Sequence, residues 1–287
     1  MRIAITGSGG YIGTNIIEKL NQRNFQIIRI DRELLYGDYQ LLAEKLLETD
    51  AVINLAGAPI IQRWTKKNKS VIYNSRVQTT QNLVKAINAI KHADRPGIVV
   101  SISAIGIYRD EFTHDETSTR YANHFAARVI DDWEDTLVEL PEDIRRIIFR
   151  SGIVIGKNSP FMNRLLPVFK LGVGGKIGAG KQAFPFIHID DVLQAFEIAL
   201  TDESYSGIYN LVAPEQTSNQ EFTKSLAKKI NRPAFFQVPA VALRLLFGKA
   251  ANLILKSPVV VPQHLIQQNF KFIYPTLDES LNEIINE

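Results

Sequence analysis

Apolar and polar residues alternate along the chain in two rhythms. Short apolar runs rich in valine and isoleucine are typical of buried parallel strands, and apolar residues three or four positions apart are typical of amphipathic helices. The predicted strands are Arg2–Ile5, Phe25–Ile30, Ala51–Leu55, Gly97–Ser103, Ile144–Phe149 and Phe186–Ile189. The predicted helices are one with the stripe Ile12, Ile16, Ile17 and Leu20, then Leu41–Leu47, Asn74–Ile90, Tyr121–Leu140, Asp190–Leu200, Thr217–Ile230, Ala240–Leu255 and Leu277–Ile285. This alternation predicts an α/β fold with a doubly wound parallel sheet.

The pattern changes in the second half of the chain. Five glycines crowd residues 172–180, which is typical of a mobile loop. The strand and helix rhythm resumes over residues 186–200. We therefore predict a larger unit over residues 1–155 and a smaller C-terminal lobe over residues 156–287, with residues 186–200 returning to the larger unit.

The composition is that of an ordinary globular protein. Of the 287 residues, 45% are hydrophobic and 22% are charged, and the formal net charge is +3. The absence of cysteine excludes disulfides, thiolate metal sites and cysteine nucleophiles. The five histidines are scattered, so we predict no metal site.

Charge and hydropathy also limit the partners. The densest charge is a short basic cluster, Lys66, Lys67 and Lys69, without interleaved aromatic residues or a basic stripe. We interpret it as a solvated helix face and expect no nucleic-acid partner. No apolar run reaches the ~18 residues that span a bilayer, and Met1 and Arg2 lead directly into a strand. We therefore expect a cytoplasmic protein with no membrane partner.

A glycine-rich turn follows the first predicted strand. Gly7, Gly10 and Gly13 have Gly-x-x-Gly-x-x-Gly spacing, Tyr11 and Ile12 lie between the last two, and an amphipathic helix begins there. Glycine lets the chain turn sharply, lets the backbone approach a diphosphate and packs the helix against the strand. The diphosphate would lie over unpaired N–H groups at the positive helix end. The turn therefore predicts the dinucleotide site of a Rossmann fold; the alternative is a tight turn without a ligand.

Asp31 and Arg32 end the second predicted strand, where an adenosine ribose would lie. An acid there accepts hydrogen bonds from the ribose hydroxyls of NAD, and an arginine nearby binds the 2′-phosphate of NADP. Both residue types are present, so the sequence predicts NADP or NAD without choosing, and a surface ion pair is the alternative. Residues 1–155 are thus predicted to be the NAD(P)-binding Rossmann domain, and residues 156–287 the substrate lobe.

Several further motifs follow the glycine turn in a definite order. They are Ile53–Ile60, Ser75–Thr80, Ser101–Tyr108, Trp133 with Glu134, Arg150–Gly152, Gly174–Gln182, Ile187–Asp191, Asn210, Ala213 with Pro214, and Asn269–Phe272. With them the chain resembles the extended short-chain dehydrogenase/reductase superfamily over nearly its whole length. More narrowly, it resembles the atypical epimerase family branch, which is NAD(P)-dependent epimerase/dehydratase-like and is also labelled cell-division-inhibitor-like.

The resemblance implies roles for individual residues near the cofactor. It implies that Leu55 and Ala56 line the adenosine side, that Arg76 reaches toward the cofactor, and that Arg32 binds an NADP phosphate. Family members usually carry a small residue where this chain has Asp31. From the residues alone, Leu55 and Ala56 form a strand end that faces the ligand crevice of an open α/β sheet, with core packing as the alternative.

The acid–base pair that the resemblance implies is absent. Most extended members place Tyr-x-x-x-Lys on one helical face, where the lysine lowers the pKa of the phenol so that it can exchange a proton. None of the nine tyrosines has a lysine four residues later. The remaining catalytic candidates are Ser103, at the end of a crevice-side strand, and Tyr108 in the next loop. The alternatives are a strand-end cap for Ser103 and a packing role for Tyr108.

The sequence supports two functions. The first is an NAD(P)-dependent oxidoreductase or epimerase that exchanges hydride with a small polar, sugar-nucleotide-like substrate, whose oxygen Ser103 and Tyr108 orient. The second, motivated by the missing lysine, is a catalytically inactive dinucleotide-binding redox sensor or regulator. We favour the enzyme, because an open crevice is costly to maintain without a ligand. The resemblance also implies a homodimer through Asn74–Ile90 and Tyr121–Leu140, with packing inside one chain as the alternative.

Overall fold

The computed structural model describes residues 1–285. The elements of its first half are β1 (Arg2–Thr6), α1 (Tyr11–Gln22), β2 (Gln26–Ile30), α2 (Arg32–Tyr36), α3 (Tyr39–Leu46), β3 (Ala51–Asn54), α4 (Lys66–Tyr73), α5 (Thr79–Ala89), β4 (Ile98–Ala104), β5 (Thr113–His114), α6 (Phe125–Thr136) and β6 (Arg145–Ser151). Those of its second half are β7 (Ile153–Ile155), α7 (Pro160–Lys170), β8 (Gly175–Ile177), β9 (Phe186–His188), α8 (Ile189–Thr201), β10 (Gly207–Leu211), α9 (Asn219–Lys229), β11 (Phe236–Val238), α10 (Ala240–Phe247), α11 (Asn252–Leu255), β12 (Val259–Val260), α12 (Gln263–Gln267) and α13 (Leu277–Ile285).

Six parallel strands form the central sheet in the order β10-β6-β4-β3-β1-β2. Because β1 lies between β2 and β3, the chain winds outward from β1 in both directions. Side chains along β1 alternate between the two faces. Ile3 and Ile5 pack with α1 and α8, whereas Ala4 packs with α3 and α5. The predicted doubly wound, Rossmann-type α/β sheet is confirmed.

The helix predicted over Asn74–Ile90 is part of a longer, interrupted helical segment. Helix α4 begins directly after Thr65, whose hydroxyl accepts the N–H of Asn68 at 3.2 Å and caps the helix. A π-helical turn over residues 74–78 then joins α4 to α5. The interpretation of Lys66, Lys67 and Lys69 as a solvated helix face agrees with their place on α4. The apolar pattern does not predict the extent of α4, because Ile72 alone is buried among its residues.

The helix predicted over Tyr121–Leu140 begins later than expected. Tyr121 forms an antiparallel bridge with Tyr108, so the chain is still extended there. His124 then caps α6, because its Nδ1 accepts the N–H of Ala127 at 3.0 Å. The residues before this cap therefore form a loop between a strand end and a helix start, which is the kind of place where functional side chains are found.

The apolar faces of α5 and α6 are used inside the chain. Leu83 and Ile87 of α5 belong to the core cluster on one side of the sheet. Val129 and Trp133 of α6 belong to a second cluster, which also contains Ile72 of α4. These contacts support the alternative of packing within one chain, and the homodimer stays a prediction.

The prediction of a mobile loop over residues 172–180 is wrong in part. These residues include β8, which pairs in parallel with β11. A Cβ atom on Gly175 would lie 1.9 Å from the carbonyl oxygen of Phe236, so only glycine permits this close approach of the two strands. The crowded glycines therefore serve strand pairing as well as turns.

The smaller lobe has a core of its own and returns a strand to the central sheet. Its core includes Met162 and Phe169 of α7 and Phe222 of α9. The returning segment forms β9 and α8, after which β10 joins the sheet edge beside β6. The sequence pattern misses β10 and α7 because a glycine opens the strand and a proline lies inside the helix. The domain bounds 1–155 and 156–287 stay a prediction.

A buried carboxyl group fastens the C-terminal segment to α8. Asp191 is 0% exposed and accepts the backbone N–H groups of Ile273 at 2.6 Å and Tyr274 at 3.2 Å. Burial raises the pKa of Asp191 to about 6, against the lowering effect of these two hydrogen bonds. The carboxyl group of Asp191 therefore binds a proton more tightly in the folded protein than in the unfolded chain.

We expect Asp191→Asn to change how stability depends on pH. Because the folded pKa of about 6 exceeds the ordinary 3.8, this group makes the wild type less stable as pH rises through that interval. The difference between the two pKa values corresponds to about 3 kcal/mol. Urea unfolding at a series of pH values should show the free energy of unfolding of the variant rising by this amount relative to that of the wild type between pH 4 and pH 7.

The control is Asp202→Asn, at an exposed site after α8, in which the free energy of unfolding should decrease with pH as it does in the wild type. The same decrease in Asp191→Asn would contradict the assignment.

Candidate functional site

The glycine turn lies at the carboxyl end of β1, against the chain that leaves β3. Gly7 has φ of +65°, and a Cβ atom on it would lie 2.6 Å from the carbonyl oxygen of Leu55. A Cβ atom on Gly13 would lie 2.5 Å from the carbonyl oxygen of Gly7. Both positions therefore require glycine. Gly10 is the N-cap of α1 and supplies no side chain to cap it, so the first N–H groups of the helix are open to an anion.

Two clefts adjoin this turn and share Gly7. The first, about 300 Å³, extends toward the end of β2 and is lined by Asp31, Arg32 and Ala56 among others. The second, about 330 Å³, is lined by the start of α1, residues 10–13, and by Leu55. The structure thus brings the predicted cofactor residues together around one turn, with the exception of Arg76.

Asp31 and Arg32 are both exposed beside the first cleft. The guanidinium of Arg32 lies over the ring of Tyr36, 5.5 Å from its centroid. Within residues 1–285 neither Asp31 nor Arg32 forms an ion pair, so the surface ion pair considered as an alternative is not made. Both groups are available to a ligand.

Arg76 lies behind the first cleft and does not line it. It donates a hydrogen bond to the carbonyl oxygen of Ala58 at 2.9 Å, and its guanidinium lies 5.5 Å from the ring centroid of Trp133. A Cβ atom on Gly57 would lie 3.1 Å from this guanidinium. Burial lowers the pKa of Arg76 to about 10, so it stays a cation at neutral pH. Arg76 therefore supports the loop that forms the cleft wall.

Ser103 and Tyr108 belong to a buried hydrogen-bond network at the ends of β4 and β6. Ser103 is 5% exposed and donates its hydroxyl proton to Glu134. Tyr108 is 2% exposed, accepts a hydrogen bond from Arg150 at 2.8 Å and donates to the side-chain oxygen of Asn210 at 2.9 Å. Burial raises the pKa of Tyr108 to about 12 against the lowering effect of Arg150. The protons of both predicted catalytic hydroxyls are thus held by protein acceptors.

Arg150 is the centre of this network. It is 1% exposed and binds the Glu134 carboxylate in a bidentate manner, with Nη2 2.6 Å from one oxygen and Nε 2.9 Å from the other. Burial alone would lower the pKa of Arg150, but the hydrogen bonds and charge of Glu134 raise it, so it remains a cation. Nη2 also donates to the hydroxyl oxygen of Tyr121 at 2.9 Å.

A third cleft, about 580 Å³, opens above this network. Its lining includes Tyr108, Tyr121 and His124, and it shares Ile153 with the second cleft. The three clefts therefore lie in sequence along the carboxyl ends of the strands, where ligands of open α/β sheets bind, and each borders the next at a shared residue. Residues of α11 line the far side of the third cleft.

The charged groups of the third cleft are paired with each other. Lys256 lies 3.1 Å from the carboxylate of Asp110, and Arg109 lies 3.3 Å from that of Glu111. Their formal charges cancel. The cleft wall therefore combines apolar side chains with two neutralised ion pairs.

Sequence reasoning missed Tyr121, because no lysine lies four residues after it. The cation that it contacts comes instead from β6, 29 residues later in the chain. The Arg150-Ser151-Gly152 motif at the strand end is the sequence signal that could have indicated this partner.

The described residues contain neither a metal site nor a membrane span. Within residues 1–285, no group of three or more histidine, aspartate or glutamate side chains converges as metal ligands would. No helix of that range has both the length and the hydropathy needed to cross a bilayer.

A doubly wound sheet with an open, glycine-lined helix start where its winding reverses defines the Rossmann class of dinucleotide-binding proteins. Comparison of the sequence with family models narrows this class. The chain belongs to the NAD dependent epimerase/dehydratase family, whose model matches residues 3–211. Residues 238–284 match a further model, a domain of unknown function (DUF1731).

Relatives and solved structures agree with this assignment. The human epimerase family protein SDR39U1 is 33% identical over 295 residues, which is 99% of this chain and 100% of the human protein. The crystal structure of human SDR39U1 (isoform 2) with NADPH superposes with a TM-score of 0.92 at 31% identity, covering 100% of both chains. The Bacillus cereus UDP-glucuronic acid 4-epimerase with UDP-glucuronic acid and NAD has a TM-score of 0.79 at 19% identity, covering 100% of this chain and 98% of that one, and shows the fold alone. The resemblance predicted from the sequence motifs is confirmed.

Proposed function

We propose that this protein is an NAD(P)-dependent oxidoreductase or epimerase that exchanges hydride with a hydroxyl or carbonyl group in the third cleft. The observation that carries the proposal is the adjacency of the three clefts, since the first two share Gly7 and the second and third share Ile153. A dinucleotide bound with its diphosphate on the glycine turn would reach toward the third cleft. When bound, it supplies or accepts the hydride.

NADP is the cofactor that we favour. Arg32 is exposed at the first cleft without an ion-pair partner within residues 1–285, as a group that binds a 2′-phosphate must be. The relative whose crystal structure contains NADPH supports this choice. Asp31, beside it, favours the ribose hydroxyls of NAD and makes NAD the alternative. We propose that Gly7, Gly10, Tyr11, Ile12 and Gly13 hold the diphosphate, that Leu55 and Ala56 form the adenosine wall, and that Arg76 acts on the cofactor through that wall.

Arg32→Ala is expected to weaken the binding of NADPH but not that of NADH. Losing one charged hydrogen bond to the 2′-phosphate should weaken NADPH binding by about 10- to 100-fold, while NADH binding stays close to that of the wild type. Calorimetric titration with NADPH and NADH measures both. Arg29→Ala removes an exposed arginine three residues earlier that lines none of the clefts, so it should leave both affinities unchanged. Equal loss for the two cofactors would contradict the role of Arg32.

The substrate that we propose is small, polar and bound in the third cleft. The resemblance favours a sugar-nucleotide-like molecule, and the volume of about 580 Å³ is large enough for one. The two exposed ion pairs, Lys256 with Asp110 and Arg109 with Glu111, leave the cleft without a net positive charge for a diphosphate, which favours an uncharged molecule. A panel that contains UDP-glucose, UDP-glucuronic acid and an uncharged aldehyde distinguishes the two.

Ser103 and Tyr108 would contribute mainly by position. Their hydroxyl protons are held by Glu134 and Asn210, which supports a role in fixing Arg150 rather than in protonating a substrate. Direct contact between these two hydroxyls and a substrate oxygen stays a prediction.

The decisive experiment combines binding with turnover. Calorimetric titration of the four nicotinamide dinucleotides should reveal tight binding of at least one, and loss of reduced-nicotinamide absorbance with the substrate panel should reveal activity. Tight cofactor binding without any turnover would favour a redox sensor, the second candidate, which the missing tyrosine–lysine pair supports. That sensor would then have to bind different partners in its oxidised and reduced states.

A further inference from the structure

We propose that Tyr121, held by Arg150, is the proton donor and acceptor for the substrate oxygen, and that these two residues replace the missing tyrosine–lysine pair. The inference rests on the proposed function and assigns the proton-transfer step to residues of this chain. It is carried by the position of one hydroxyl group, by its hydrogen bonds, and by the buried cation beside it.

Backbone contacts fix the ring of Tyr121 at the cleft. Tyr121 bridges Tyr108, and the next residue, Ala122, donates its N–H to the carbonyl oxygen of Ile107 at 2.8 Å. The rings of Tyr121 and Tyr108 pack edge to face, with centroids 6.2 Å apart. Tyr121 is half-buried and lines the third cleft. It therefore combines a defined position with access to a bound molecule.

The hydroxyl proton of Tyr121 is available, unlike those of its neighbours. Its oxygen accepts a hydrogen bond from Arg150 Nη2 at 2.9 Å, and no residue within 1–285 accepts its proton. By contrast, Tyr108 donates to Asn210, and Ser103 donates to Glu134. Tyr121 is thus the network hydroxyl that can still donate to a substrate oxygen.

Arg150 supplies the positive charge that a lysine would supply in a tyrosine–lysine pair. Its guanidinium carbon lies 5.3 Å from the ring centroid of Tyr121, and its Nη2 faces the hydroxyl oxygen. Glu134, oriented by Ser103, holds the guanidinium plane in place. A cation that donates to a phenol oxygen stabilises the phenolate formed after proton transfer. Because Glu134 balances the formal charge of Arg150, the stabilisation comes from the hydrogen bond that Nη2 donates to the hydroxyl oxygen of Tyr121.

The step balances as a carbonyl reduction. The substrate carbon accepts a hydride, and therefore two electrons, from the reduced cofactor, which becomes oxidised. Tyr121 transfers its hydroxyl proton to the carbonyl oxygen, so its own O–H bond breaks, the C=O double bond becomes a C–O single bond, and new C–H and O–H bonds form on the substrate. The phenolate left on Tyr121 keeps its hydrogen bond from Arg150 and regains a proton from water. Oxidation of an alcohol follows the same steps in reverse.

Tyr121→Phe tests the assignment with NADPH and 4-nitrobenzaldehyde as the probe. Loss of a positioned acid should lower kcat by about 100-fold or more, with the KM for NADPH within about twofold of the wild type. Tyr205→Phe removes the hydroxyl of a buried tyrosine in a different core cluster and should retain both kcat and the KM for NADPH.

A second measurement separates this inference from the proposed function. 4-Nitrobenzaldehyde cannot react with the protein loaded with oxidised NADP, so its affinity can be measured whether or not the protein turns over. Loss of one hydrogen bond should weaken this affinity about 3- to 10-fold in Tyr121→Phe. If turnover is absent but the affinity depends on Tyr121, the proposed activity fails and the assignment of the hydroxyl stands. If turnover or aldehyde affinity is unchanged in Tyr121→Phe, or if the wild type binds no aldehyde, the inference is overturned.

Discussion

Gly13→Ala is expected to weaken cofactor binding by about 100- to 10,000-fold. The new Cβ atom would lie 2.5 Å from the carbonyl oxygen of Gly7 and 3.0 Å from Cα of Ser8. Both contacts are with backbone atoms, so no side-chain rotation relieves them. The turn must move, and a bound diphosphate would lose the backbone N–H groups aimed at it. Two such charged hydrogen bonds are together worth about 3–6 kcal/mol, which is the expected loss in affinity.

Calorimetric titration with NADPH measures this loss directly. Gly97→Ala is the matched control, because a Cβ atom there meets nothing within 4 Å and the residue lines none of the clefts. It should bind NADPH as the wild type does. Circular dichroism and thermal unfolding should show that Gly13→Ala keeps its fold, since the clash is confined to one turn. Wild-type affinity in Gly13→Ala would exclude the glycine turn as the diphosphate site.

Glu134→Gln is expected to destabilise the protein by about 3 kcal/mol. The substitution preserves the shape of the side chain and removes the only charge that balances Arg150 among its hydrogen-bond partners in residues 1–285. Arg150 is 1% exposed, so water cannot replace the lost partner. Breaking one side of a buried ion pair typically costs 3–5 kcal/mol, about 3 here because the amide oxygen can still accept one hydrogen bond.

The measurement is urea unfolding, with the thermal midpoint as a second readout. A loss of about 3 kcal/mol should lower Tm by roughly 5–10 °C in a protein of this size. Asp135→Asn changes the adjacent carboxylate, which is exposed, and should shift the free energy of unfolding by less than about 0.5 kcal/mol. Because the pair is buried, added salt should reduce the effect of Glu134→Gln only slightly. A loss below about 1 kcal/mol would show that Glu134 does not balance a buried charge.

The features that the sequence predicts well are those encoded by short spacings. The glycine turn is recognisable because its three glycines lie within seven residues and directly follow an apolar run. The strand pattern is recognisable for the same reason: buried parallel strands are continuous apolar runs. Five of the six strands of the central sheet, its doubly wound character and the location of the turn therefore follow from the sequence, whereas the edge strand β10 does not.

The features that it misses depend on contacts between distant parts of the chain. Tyr121 gains its candidate role from Arg150, which a helical spacing rule cannot find because the two residues lie on different elements. Gly175 looks like a loop glycine until β11 is placed beside it. The basic cluster indicates a helix at Lys66–Lys69, but the extent of α4 is missed because it has no apolar stripe and depends on the cap at Thr65 and on packing of Ile72. In each case the conformation or role of the residue depends on a contact with a distant part of the chain.

The buried pair of Glu134 and Arg150 also constrains how this chain can diverge. A change at either position alone leaves an unpaired charge in the interior and destabilises the fold. A joint change of both residues to apolar residues of similar volume often leaves the stability of a protein unchanged. The two positions are therefore expected to covary among homologous sequences, although 16 residues separate them along the chain.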